Sequence, residues 1–286
     1  MASKSFRQPA VAGTFYANGQ SRLRKQIEWC FRYPVGPGQL PPVINHGNGP
    51  RRILGLISPH AGYAYSGPVA AHSYYELASD GKPDLVIVVG PNHRGLGAPL
   101  AVGHCDIWRT PLGELPVDIE AAKQIVLATQ GAQLDDVAHI AEHSIELQIP
   151  FLQFLYGNAF SIVPIAILAQ EPSMCIQLGQ AIASVMKGRN AVVIASTDLT
   201  HYESHQMATK KDHIAIERIL QLEIADLFEV IRRYGITMCG PGPITTAVVA
   251  CKEMGASSAR LLRYATSGDI AGGFEHVVGY AALEIH

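Results

Sequence analysis

Apolar positions along the chain fall into two kinds of run. Arg52–Ser58 (RILGLIS), Asp84–Gly90 (DLVIVVG), Phe160–Ile167 (FSIVPIAI) and Asn190–Ser196 (NAVVIAS) are short and continuously apolar. Such runs predict strands buried on both faces. Between them lie longer segments that predict helices: Ser66–Ala78, Pro116–Gln130, Glu142–Gly157, Pro172–Gly188 and a long stretch over His205–Arg233. A helix over Gly242–Gly255 follows, and a short one over Gln20–Arg32 precedes the first strand. Pro150 is expected to kink the helix that contains it. Ala259–Thr266 and His276–Ile285 read as closing strands. Strands alternating with helices argue for an α/β sheet covered on both faces. The pattern is too irregular, with too few units, for an eight-fold barrel.

Tyr33–Arg52 is rich in Pro, Gly and Asn and predicts a long surface loop. It is no domain boundary, because too little chain precedes it to fold alone. The whole of residues 1–286 is expected to be one domain.

Composition narrows the function. Of 286 residues, 48% are hydrophobic and 16% charged, which describes a globular chain. The formal net charge is -2, with no long charge run. This excludes a basic nucleic-acid footprint and a polybasic membrane patch. The first residues hold no apolar core of signal-peptide length. The most apolar run, FSIVPIAILA, falls far short of the roughly 20 residues of a membrane helix. The chain is expected to be soluble and cytoplasmic. Its five cysteines, Cys30, Cys105, Cys175, Cys239 and Cys251, are scattered and form no CxxC pair, which argues against a disulfide framework or a four-cysteine zinc site.

In open α/β sheets, ligands bind beyond the carboxyl ends of the strands. Three strands end there in histidine-bearing loops: Pro59-His60, the PNHRG segment with His93, and TDLTHYESH with Asp198, His201 and His205. Small residues around His60 (HAGY) and His93 (GPNH) allow close approach. Loops on adjacent strands would aim both imidazoles at one point, the usual start of a metal site. A serine nucleophile is disfavoured, since no G-x-S-x-G elbow is present. Candidates for a third ligand are Asp198, His201, Glu142, His143, Glu146 and Cys239. Cys239 precedes a Gly-Pro-Gly-Pro turn opening a helix, where a thiol is expected to have a lowered pKa. Asp198 and His201, three apart, share a face if a short helix begins there. The same holds for His143 and Glu146.

The motifs RQPAVAGTFY, SPHAGYAYSG, GPNH, EHSIELQIPFL, STDLTHY, MCGPGPI and YATSGD, in this order, resemble the Memo family along nearly the whole chain. The resemblance implies a fold similar to the class III extradiol dioxygenases, a single α/β domain with a central, mostly mixed sheet. It implies a metal site of two histidines and a cysteine taking iron or copper, carried over to His60, His93 and Cys239. Asp198 and His201 match the family's nearby acidic residue and acid/base histidine, and His143 matches a pocket histidine. A thiolate in place of a carboxylate favours copper(I), iron(II) or zinc over harder ions.

Three functions follow as expectations. The first is a metal-dependent oxidoreductase in which His201 is the acid/base and Asp198 and His143 orient substrate or ligands. The second is a metal- or peptide-binding protein without turnover. The third is a zinc hydrolase using the same ligands. The partner is an unidentified small molecule or peptide.

Overall fold

Leu85–Pro91 shows why the apolar runs are unbroken. Leu85, Ile87 and Val89 point into one buried cluster, while Val86 and Val88 point into another on the opposite face. A strand covered on both sides has no polar face to present.

The computed structural model describes residues 4–42 and 51–286. In chain order the first elements are β1 (Phe6–Arg7), α1 (Gln20–Arg32), β2 (Gly55–Ser58), α2 (Gly67–Asp80) and β3 (Leu85–Pro91). Short strands follow: β4 (Leu100–Val102), β5 (Ile107–Thr110) and β6 (Gly113–Pro116). Then come α3 (Ile119–Ala128), β7 (Ala132–Leu134), α4 (Ile149–Tyr156), β8 (Ser161–Ile167), α5 (Pro172–Met186) and β9 (Ala191–Ser196). The remainder is β10 (His201–Glu203), α6 (His205–Leu220), α7 (Leu227–Tyr234), α8 (Pro241–Glu253), β11 (Ala259–Thr266), α9 (Ser267–Ala271) and β12 (Val277–Ile285).

The main sheet runs β10-β12-β2-β9-β3-β8-β4-β7, with β11 also paired to β12. Strands β2, β9, β3 and β8 are mutually parallel, whereas β12 against β2 and β4 against β8 are antiparallel, so the sheet is mixed. Helices α3, α5, α6 and α8 contribute to the core on one face, and α1, α2 and α4 to the other. This is one α/β domain with its helices on both faces, as expected. A second, three-stranded sheet, β1-β5-β6, was not foreseen. Its strands are too short to carry a periodic signal.

Several expectations need correction. The strands bearing His60 and His93 are not adjacent, because β9 lies between them. The helix expected over Glu142–Gly157 begins only at Ile149, after a 3-10 turn at Glu146–Gln148. Pro150 does not kink it but sits in its first turn, where a missing N–H costs nothing. The stretch His205–Arg233 is two helices, separated at Leu222, whose φ is 56°. Asp198 does not open a helix, since residues 197–200 between β9 and β10 are irregular chain with a bend at Thr200. Of the expected loop Tyr33–Arg52, residues 43–50 lie outside the described residues, and the rest is turns and irregular chain.

Three of the four other cysteines fill space that glycines leave open. A Cβ on Gly55 would come within 2.5 Å of Cys251 Sγ, one on Gly67 within 2.5 Å of Cys30 Sγ, and one on Gly242 within 3.0 Å of Cys175 Sγ. All four, Cys105 included, are buried and free, as small core residues. No helix among the described residues is long and apolar enough to cross a membrane.

Candidate metal centre

Three neighbouring parallel strands, β2, β9 and β3, end at the same edge of the sheet. Their continuations carry His60, Thr197-Asp198 and His93. Cys239 reaches the same place from the loop before α8. The ligating atoms of His60, His93 and Cys239 all lie within 4.8 Å of one another.

Each of the three is held by its neighbours. His60 is 2% exposed, with Nδ1 2.9 Å from Ser196 Oγ and Nε2 3.2 Å from Cys239 Sγ. Its main-chain N–H donates to Asp198 Oδ1 at 2.7 Å. Burial, reinforced by His143 and His93, holds the His60 imidazole well below its ordinary pKa, so it stands neutral. His93 Nδ1 lies 2.9 Å from Glu142 Oε1. An ionised carboxylate only accepts, so Nδ1 carries a proton and donates, and Nε2 is the ring nitrogen turned away from Glu142. The Cys239 main chain donates to Asp198 O at 3.2 Å, and its carbonyl accepts from Gln170 Nε2 at 2.8 Å. The next residue must be glycine, for a Cβ on Gly240 would come within 2.7 Å of Thr197.

The thiol departs from expectation. Burial, then the Asp198 carboxylate, push Cys239 up to about 12 rather than down. The N–H of Asp198 donates to its sulfur at 3.2 Å, too little to offset those effects. Without a cation, Cys239 is therefore a thiol. An ion bound there would displace that proton.

Glu142, a candidate ligand, accepts hydrogen bonds at both carboxylate oxygens. Oε1 accepts from His93 Nδ1, His143 N and Ser144 N, and Oε2 accepts from His93 N. Burial would raise its pKa, yet the bonds from His93 and Ser144 outweigh burial and hold it well below the carboxylate range. Glu142 thus orients His93, and with His93 and His143 it forms a second group whose possible ligand atoms lie within 4.8 Å of one another. Glu146 is elsewhere altogether. Fully buried, it pairs with Arg7 and accepts from Ala10 N, Val11 N and Tyr16 Oη. It ties the N-terminal segment to the turn before α4.

His143 stacks on His93 with ring centroids 4.6 Å apart, and its ring lies 5.4 Å from that of His60. Its Nδ1 is buried without a hydrogen bond. Burial is the main cause holding it down to about 4. Asp198 borders the group through its contacts with His60 and Cys239, and burial raises its pKa. His201 opens β10, with Nδ1 2.9 Å from Thr237 O. A carbonyl accepts, so Nδ1 donates. The next residue, Tyr202, has φ 61° at an irregularity in the β10–β12 pairing.

A family model described as Memo-like protein matches residues 7–284. The chain belongs to the Memo family. A MEMO1 family protein of Methanopyrus kandleri is 49% identical over 279 residues, covering 97% of this chain and 98% of the relative. One from Ignicoccus hospitalis is 47% identical over 280 residues, with the same coverage. Among solved structures, an uncharacterized protein of Escherichia coli K12, JW3007, is similar in fold, with TM-score 0.52 and 14% identity over 80% of this chain and 99% of that one. Reading this Memo family member from sequence missed Thr197 and Gln170, which fix the Cys239 loop. Nothing in the spacing of Gln170 marked it.

Proposed function

We propose that the chain is a metalloprotein that holds one ion through His60 Nε2, His93 Nε2 and Cys239 Sγ, and that it acts as an iron- or copper-dependent oxidoreductase. The observation carrying this reading is the convergence of two imidazoles and a thiol within 4.8 Å from loops remote in sequence. His60 stands neutral, and neutral imidazoles are donors that borderline metals take, while the thiolate biases the set toward iron(II), copper(I) or zinc. When bound, such an ion supplies Lewis-acid and redox chemistry beside open coordination positions. Three protein donors leave those positions free.

The remaining residues serve substrate. His201, held by Nδ1 on Thr237 O, can in its neutral form take a proton at Nε2 from an acidic hydroxyl. Asp198 holds the His60 main chain and the Cys239 sulfur in register. His143 forms a neutral wall stacked on His93. The test is metal analysis of untagged protein, followed by oxygen uptake with catechols. Iron or copper at one per chain with uptake supports the reading. Zinc without uptake moves it to a hydrolase, and absence of any metal ends it.

A further inference from the structure

Ser196, the last residue of β9, is fully buried. Its Oγ meets Gln148 Nε2 at 2.7 Å, Ser144 O at 2.6 Å and His60 Nδ1 at 2.9 Å. The protons in this cluster can be placed from its ends. Pro59 O and Ser144 O are main-chain carbonyls and can only accept. Gln148 Nε2 lies 3.1 Å from Pro59 O, which assigns the nitrogen end of that amide. The other end, Oε1, accepts from Tyr74 Oη at 2.5 Å. The second N–H of Gln148 then donates to Ser196 Oγ. The single hydroxyl proton of Ser196 goes to Ser144 O. One lone pair of Oγ is left, and it faces His60 Nδ1. That nitrogen must therefore carry a proton, which leaves Nε2 bare toward Cys239.

We propose that Gln148 and Ser196 are positioning residues of the metal centre, which fix His60 in the tautomer whose Nε2 is free for an ion before any ion arrives. The consequence for metal rests on His60 being a ligand, as proposed above, but the tautomer does not. The arrangement mirrors the one at His93, where Glu142 accepts a hydrogen bond from Nδ1–H. There the acceptor is charged. At His60 it is a neutral hydroxyl whose own direction is set by an amide. An acidic partner at His60 would add a second buried carboxylate beside Asp198, and a hydroxyl avoids it.

The test is a nitrogen-15 spectrum of the metal-free full chain labelled at histidine, with the His60 resonances assigned by their loss in His60→Gln. Nε2 is expected in the unprotonated class and Nδ1 in the protonated class. In Ser196→Ala and in Gln148→Met, His60 is expected to show a mixture of tautomers. Anaerobic iron(II) affinity should fall about 10–100-fold, the usual effect of removing a group that orients a ligand. Ser73→Ala is the control. It removes another buried hydroxyl, which donates to Ile57 O at 3.0 Å, and should change neither readout. A protonated Nε2 in the wild-type spectrum overturns the proposal, as do variants that keep both tautomer and affinity. If either variant fails to fold, the wild-type spectrum alone decides. A wild-type chain that binds neither iron(II) nor copper(I) ends the metal reading, while the tautomer still decides the positioning role.

Discussion

His60 Nε2 and Cys239 Sγ stand 3.2 Å apart although 179 residues separate them in the chain. Two donors at that distance can share one ion at ordinary bond lengths of about 2.0 to 2.3 Å. Cys239→Ser should therefore abolish most metal affinity, by more than the roughly 100-fold limit typical of orienting residues. Cys175→Ser and Cys251→Ser, which alter buried packing thiols, should leave affinity near wild type. The melting temperature of metal-free Cys239→Ser should change little. Equal affinities across the three variants, read by metal titration, would make Cys239 a turn residue only.

Glu142 accepts four hydrogen bonds around His93. Glu142→Gln turns one acceptor into a donor facing N–H groups. Metal affinity is expected to drop about 10–100-fold, less than in His93→Ala. A titration in which Glu142→Gln loses as much as His93→Ala would mean that Glu142 is itself a ligand.

The Arg7–Glu146 pair is almost wholly buried. Removing one partner strands a charge in the interior, at a cost of about 3–5 kcal/mol. Arg7→Met should therefore lower denaturant stability by that order. The double replacement Arg7→Met with Glu146→Met should recover part of the loss, since neither charge then remains. A double variant weaker than Arg7→Met would count against this account.

His139 governs one part of the acid response. Burial first, and then Arg7, hold it down to about 4, against the weaker opposing pull of Asp136 and Asp135. The unfolded chain takes up a proton near pH 6.5 that the folded chain refuses until about 4. The stabilising contribution is thus fully present above about 6.5 and is lost as pH falls toward 4, by roughly 3 kcal/mol in total. His139→Leu should lose less stability than wild type between pH 7 and 4. Parallel stability curves for the two chains over that range would refute the assignment.

The buried strands and most helices were legible because continuous apolar runs and 3.6-residue periodicity survive in one dimension. Sequence motifs also pointed to His60, His93 and Cys239 as candidates. What was not legible was spatial. That β9 separates the two histidine strands depends on sheet order, which no local pattern encodes. Glu142 and Glu146 look alike in EHSIE, yet one faces His93 and the other Arg7, because a 3-10 turn there replaces the expected helix. The Cys239 thiol was misjudged because its local helix start was weighed without the burial and the Asp198 carboxylate that outweigh it.

The candidate donors are spread along most of the chain, and β12, which closes the sheet against β2, is formed from residues 277–285. A ribosome that has released His60 and His93 has released two histidines with no partner. The cage cannot exist until Cys239 and the start of α8 have left the exit tunnel and docked against Thr197. The three candidate donors are thus brought together by the finished fold and by no single segment of the growing chain.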